Sequence, residues 1–183
     1  MLKKGNVFLT PIERHNLVTF HQWLKELENF FLFSEFFITQ PSLDELEYWY
    51  NSLLNNFRNK VFIINSIDSR TPIGIVELSR IDWKNRNAAI GIIIGNKQHR
   101  QKGFATTAIK IIIDLAFNHW NLHKLYALVV ENNLPSVKLF EKLKFTKEAV
   151  LRETIFFESK YYNQIVFSLL KNEYEQNIDF YNS

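Results

Sequence analysis

The apolar run Ala88-Ala-Ile-Gly-Ile-Ile-Ile94 and the stretch HRQKGFATTAIKIII that follows it, His99 to Ile113, constrain the fold more than any other part of the chain. The first is nearly continuous in apolar and β-branched residues, the pattern of a central strand covered on both faces. The second sets two basic residues and a glycine directly before a helix expected from about Phe104 to His119. A helix that begins beside Gly103 exposes its first N–H groups and the positive end of its dipole. Gly103 itself lets a ligand approach the backbone closely. With Arg100 and Lys102 adjacent, phosphate or pyrophosphate binding follows. The plainer reading of the same residues is a strand-to-helix loop that is merely basic.

The remaining segments fill in a frame around this junction. Val7 to Leu9 reads as a short strand closed by Thr10-Pro11. Asn16 opens a helix with Leu17, Phe20, Leu24 and Leu27 at helical spacing. Ser42 with Glu45 three residues on is a capping-box pattern, and Leu46, Trp49, Tyr50, Leu53 and Leu54 are expected on one broad face of the helix behind it. Val61 to Ile67 and Ile73 to Arg80, separated by DSRTP, read as an antiparallel hairpin, with a polar turn from Asp82 to Asn87 after it. Leu125 to Val130 is a strand, Pro135 to Leu143 a short helix, and Ala149 to Phe157 and Tyr162 to Leu170 two closing strands. The order predicts an α/β fold with a mixed sheet and helices on both faces, in a single domain over 1–183.

Composition narrows the function. A net charge of +3 suits an anionic small ligand and, without a clustered basic stripe, does not point to nucleic acid. The absence of cysteine excludes disulfides, thiolate nucleophiles and cysteine-ligated zinc, and fits a reducing cytoplasm. No His/Asp/Glu cluster has metal-ligand spacing. The start MLKKGNVFLTPIE lacks the apolar core of a signal peptide. The most hydrophobic window, Phe30 to Ile38, is broken by Ser34 and Glu35 and is too short to span a bilayer, so a soluble cytoplasmic protein is expected. The 17 phenylalanines raise the expectation of an aromatic pocket or a homodimer contact, Phe30 to Phe37 above all, with core packing as the plain alternative.

There is no Walker loop and no dinucleotide fingerprint. IGIIIGNKQHRQKGFATTAI instead resembles the acetyl-CoA signature of the GNAT superfamily of N-acetyltransferases. There an arginine or glutamine begins a six-residue stretch with glycine fourth and glycine or alanine sixth, as in Arg100-Gln-Lys-Gly-Phe-Ala105. VVENNLPSVKLFEKLKF, Val129 to Phe145, is similar to the family's later strand and helix, with Asn133 and Ser136 in the Asn and Ser places. The tail FTKEAVLRETIFFESKYYNQIVFSLLKNEY is similar to the branch that holds ribosomal-protein N-terminal, spermidine and aminosugar-nucleotide acetyltransferases. The resemblance runs from about Ile73 to Tyr174 and is loose over the first seventy residues, which form much of the acceptor side.

That resemblance implies a GNAT fold: a splayed sheet with acyl-CoA wedged between two parallel strands, Ala88–Ile94 and Leu125–Val130. It implies that the amides of Gln101, Lys102, Gly103, Phe104 and Ala105, with Thr106 next in line, meet the pyrophosphate. Backbone groups of Ile92, Ile93 and Ile94 would pair with the pantetheine arm, and Asn133, Ser136 and Phe140 would lie farther along the coenzyme. The implied reaction is direct attack of a neutral amine on the thioester in a ternary complex. An alkyl ammonium has a pKa near about 10.4, so a base or water chain must take a proton. Positioned acid and base groups are worth about 10²–10⁴-fold.

Two family residues are replaced. Phe140 stands where a tyrosine usually protonates the leaving thiolate, and Ala89 where many relatives carry a glutamate. Glu77, in GIVELSRI, is the remaining base candidate, against the reading of a solvent-facing strand glutamate. His21 and His99 are lesser proton-shuttle candidates. Glu35, Asp44, Glu45 and Glu47 either attract a cationic acceptor or mark a solvated helix start. The acceptor is left among a polyamine, a protein N-terminus, an aminosugar nucleotide and an antibiotic amine. The alternative is a catalytically degenerate protein that binds acyl-CoA without turnover.

Overall fold

Eight strands order as β1-β2-β3-β4-β5-β6-β8-β7 in the computed structural model, which describes residues 2–26 and 39–182. The strands are β1 Leu2–Lys4, β2 Val7–Pro11, β3 Lys60–Ser66, β4 Pro72–Asp82, β5 Asn87–Ile94, β6 Lys124–Val130, β7 Thr146–Phe157 and β8 Lys160–Leu170. The helices are α1 Leu17–Glu26, α2 Leu43–Leu54, α3 Phe104–Asp114, α4 Leu134–Lys142, α5 Lys171–Gln176 and α6 Ile178–Asn182. The β5–β6 pair is parallel, and β1–β2, β2–β3, β3–β4, β6–β8 and β7–β8 are antiparallel, so the sheet is mixed as expected. Leu27, Glu35 and the Phe30–Ile38 window lie outside the described residues. No helix among the described residues is long and apolar enough to cross a membrane.

The chain packs as two compact units, Met1–Arg80 with Gly91–Ile112, and Ile81–Ile90 with Ile113–Ser183. In the first, β2 and β3 pair from Val7↔Ser66 to Pro11↔Phe62, and β3 and β4 from Lys60↔Leu78 onward. Period-two alternation then puts Val61, Ile63, Ile75 and Ile93 on one face, where Phe20, Trp23 and Leu24 of α1 and Leu46 of α2 close over them. Each fully buried aliphatic or aromatic side chain of such a cluster contributes roughly 1.5–3 kcal/mol relative to exposure. The α2 start is as the sequence predicts: Ser42 Oγ accepts from Glu45 N at 3.2 Å, and Glu45 Oε2 accepts from Ser42 N at 2.8 Å. The broad apolar face is narrower than expected, because Leu46 is buried while Leu54 is 62% exposed.

In the second unit, β8 lies between β6 and β7 and pairs antiparallel with both, and the interior there is aromatic. Phe140 of α4 meets Phe145 edge-on at 5.1 Å and stacks with Phe167 of β8 at 6.1 Å. Phe117, Tyr174 and Tyr181 form a second row, with centroids 5.3 and 5.1 Å apart. Burial pushes the Tyr174 and Tyr181 phenols up. The predicted helix to His119 continues past α3 only as a wider π-turn over Leu115–His119, closed by Trp120 N to Leu115 O at 3.0 Å. The ladder between β5 and β6 has three rungs, Asn87↔Lys124, Ala88↔Leu125 and Ala89↔Tyr126, whereas β6 stays paired to β8 as far as Val130↔Gln164.

Burial of β5 departs from expectation. Ala88, Ile90 and Ile93 are buried, but Ala89, Gly91, Ile92 and Ile94 are only half-buried. Of the residues on the α1–α2 face of β5, Ile93 is the one within that core cluster, so the strand is not covered along its length.

Candidate active site

Beyond Ile94 the chain turns at Gly95, where a side chain would collide with the Trp23 indole, and enters a short 3-10 turn over Lys97–His99. Asn96 fixes the entry: its amide donates to Ile73 O at 3.2 Å and its Oδ1 accepts from Gln98 N at 2.9 Å. Gln101 then takes φ +59° and Gly103 φ +86°, two left-handed residues that turn the backbone into α3. Such turns point successive N–H groups to one side. The first helical bond is Thr107 N to Gly103 O at 3.0 Å, so the amides of Phe104, Ala105 and Thr106 precede every intrahelical acceptor. An ideal Cβ on Gly103 has no atom within 4 Å, so the approach to these amides is open. Free amides at an eleven-residue helix start, an open glycine and the exposed Lys102 fit a pyrophosphate.

Arg100 has a different place from the one its charge suggests. Its Nε donates to Ile94 O at 3.0 Å and its Nη2 to Gly95 O at 3.5 Å, tying the loop to the end of β5. That engages the carbonyl of Ile94, one of three residues expected to face the pantetheine arm. His99 lies edge-on to Phe104 at 5.3 Å, and its buried Nδ1 has no hydrogen-bond partner among the described residues.

On β4, Glu77 is half-buried and shares the α1–α2 face with Val61, its register partner on β3. A Cβ built on Gly91 would lie 3.1 Å from Glu77 Oε1 and 3.3 Å from its Cγ, so the carboxylate arm lies across the bare backbone of β5. Sequence reasoning missed this pairing. A glycine inside an otherwise β-branched strand is the signal that marks such a close approach.

In the other unit, Asn133 caps α4, its Oδ1 accepting from Ser136 N at 3.3 Å. The Asn-x-x-Ser spacing is therefore explained locally by a helix cap. Phe140 is 3% exposed within its aromatic cluster. Its phenyl ring has no proton to give, and Ala89 opposite Tyr126 has no carboxylate. Of the acidic residues before and on α2, Glu45 serves the capping box, where hydrogen bonds from Ser42 hold its carboxyl below the ordinary range, and Glu47 pairs with Arg14 at 2.9 Å. No cluster of three or more His, Asp or Glu able to hold a metal occurs among the described residues.

A mixed sheet with a three-rung parallel ladder between β5 and β6, and a helix start with open amides after β5, are consistent with an acyl-CoA-dependent transferase. The sequence profile of the acetyltransferase (GNAT) domain matches residues 6–146, and the chain belongs to that family. It is an acetyl-CoA-dependent N-acetyltransferase. It is 32% identical over 168 residues to a spermidine N(1)-acetyltransferase of Vibrio cholerae serotype O1, covering 91% of this chain and 94% of that one. The corresponding Escherichia coli K12 enzyme is 29% identical over 171 residues, 92% of this chain and 88% of that one. The crystal structure of the Vibrio cholerae enzyme in complex with CoA and spermine superposes with a TM-score of 0.83 at 30% identity, covering 94% and 99% of the two chains. A dodecameric structure of that enzyme matches at TM-score 0.80 and 31% identity, over 93% and 97%.

Proposed function

We propose that this enzyme acetylates a primary amine of a linear polyamine, with spermidine as the leading acceptor. The observation that carries this reading is the near full-length similarity to spermidine N(1)-acetyltransferases, which reaches well into the first seventy residues, where the motif resemblance is loose. The dodecameric structure of the Vibrio cholerae relative supports self-association of this chain as well.

Acetyl-CoA supplies the thioester carbonyl and the thiolate leaving group. The amides of Phe104, Ala105 and Thr106, with Lys102 beside them, hold the pyrophosphate, and Gln101 and Gly103 shape the turn that aims those amides. Backbone groups of Ile92 and Ile93 orient the pantetheine arm, while Arg100 keeps the end of β5 in place through Ile94 O. Glu77 receives, through water, the proton that the ammonium must lose. The thiolate takes its proton from solvent or from the amine, because Phe140 has none to give. Proximity and backbone polarisation sustain the transfer without a side-chain acid.

Free-thiol release from acetyl-CoA, measured with spermidine, an aminosugar nucleotide, alanyl and seryl peptides and an aminoglycoside, tests the reading. Release confined to spermidine is the expected result. Release with another class of amine moves the acceptor, and silence with every amine from protein that acetyl-CoA stabilises against heat sinks the proposal.

A further inference from the structure

We propose that Gly91 is a positioning residue, kept without a side chain so that the Glu77 carboxylate lies across β5 one residue from the backbone that orients the pantetheine arm. The inference rests on the reading of Glu77 as the base, and adds how the carboxylate is placed.

Two ordinary explanations for a strand glycine fail at this position. Gly5 and Gly103 are the glycines with positive φ, so Gly91 is not there to supply a conformation that other residues avoid. Nor does backbone from elsewhere crowd it: the three nearest atoms a Cβ would meet all belong to Glu77, Oε1 at 3.1 Å, Cγ at 3.3 Å and Cδ at 3.6 Å. A glycine within a strand weakens it, since it has no side chain to pack and loses more backbone freedom on folding. What the position gains is the volume that Glu77 fills.

The register says where that volume lies. Val61 pairs with Glu77 and Ile63 with Ile75, so Glu77 is one row outward from Ile75 on the same face. Ile75 and Ile93 are in the cluster under α1 and α2; Glu77 and Gly91, two residues from each, are half-buried. Among the described residues the carboxylate thus sits one row outward from the cluster under α1 and α2, half-buried and lying along the bare strand beneath it. An alanine at 91 requires the arm to give by a few tenths of an ångström. Valine, which suits a strand backbone, occupies the space outright.

The test is a kinetic cycle with spermidine, or with the best amine of the panel, over Glu77→Gln, Gly91→Val, their double variant, Gly91→Ala, and Gly91→Ala with Glu77→Asp. Glu77→Gln and Gly91→Val should each lower kcat by about 10²-fold and remove the same limb of the rate–pH profile, with KM for acetyl-CoA unchanged. The double variant should be no worse than either single one. Gly91→Ala should lose about threefold, part of it restored by the shorter aspartate. Retained thermal stabilisation by acetyl-CoA shows that each variant folds. Were Gly91→Val to fail that check, the alanine and aspartate pair would decide alone. Losses that multiply in the double variant, or a Gly91→Val enzyme with the normal kcat and pH limb, overturn the positioning role. A Glu77→Gln enzyme with unchanged kcat and pH profile removes the base itself, a failure visible separately from the first.

Discussion

At Gly95 and Trp23 a single missing side chain decides how the donor loop leaves the sheet. The indole is 7% exposed and lies on the backbone of Gly95, immediately before the turn whose amides are proposed to hold the pyrophosphate. Gly95→Ala puts a methyl into that ring, and overpacking of this kind costs about 1–3 kcal/mol. Chemical denaturation should show that loss, together with a raised KM for acetyl-CoA, since the loop is displaced with the indole. Trp23 was legible as a helix residue but not as the partner of Gly95, because nothing in helical spacing says what a side chain lands on. Arg100 shows the same limit. Its charge and position fit the family motif, yet its guanidinium is used on Ile94 O and Gly95 O, a contact that depends on how tightly the chain turns.

Among the elements, the main helices and every strand but β1, whose three residues LKK carry no pattern, were readable from local signals such as the Ser42–Glu45 box at α2, β-branched runs at β3, β4 and β5, and Asn133 before α4. The two C-terminal helices were not. KNEYEQ and IDFYN are too short for an apolar period to emerge, and they hold their place through two buried tyrosines, Tyr174 and Tyr181. β7 is exposed along most of its length and has little core of its own to contribute. A polar clamp across β8 helps to hold it, with Lys124 Nζ 2.7 Å from both Glu148 oxygens. Hydrogen bonds from Lys124 and Ser168 hold the Glu148 carboxyl below the ordinary carboxylate range. The depressed value means that the clamp contributes fully above the unfolded carboxylate pKa of about 4.3 and is lost as pH falls through the lower folded value. With side chains 31% and 37% exposed, solvent screening keeps the contribution under about 1 kcal/mol. Glu148→Gln should therefore lower stability slightly at neutral pH and flatten its fall in acid; thermal unfolding between pH 3 and 7 measures both.

For the whole molecule, the donor half of the chemistry was legible and the acceptor half was not. The coenzyme site proposed above uses backbone amides at a helix start, a kind of site that a glycine, flanking charge and a spaced motif disclose in one dimension. Acceptor recognition depends on which side chains the early helices bring over β4 and β5, and that part of the chain carries ordinary amphipathic patterns. Near full-length similarity to spermidine acetyltransferases is what supports the polyamine acceptor proposed above. Glu77 was found as an odd carboxylate in an apolar strand, while Gly91, which makes room for it, became visible only in three dimensions.

The central claim is direct transfer from acetyl-CoA to a polyamine amine while both are bound. Initial rates of thiol release over a grid of acetyl-CoA and spermidine concentrations test it most directly. Double-reciprocal lines that intersect are the predicted result, as a ternary complex requires. Parallel lines, the mark of an acetylated enzyme intermediate, or release that does not depend on spermidine, would contradict it.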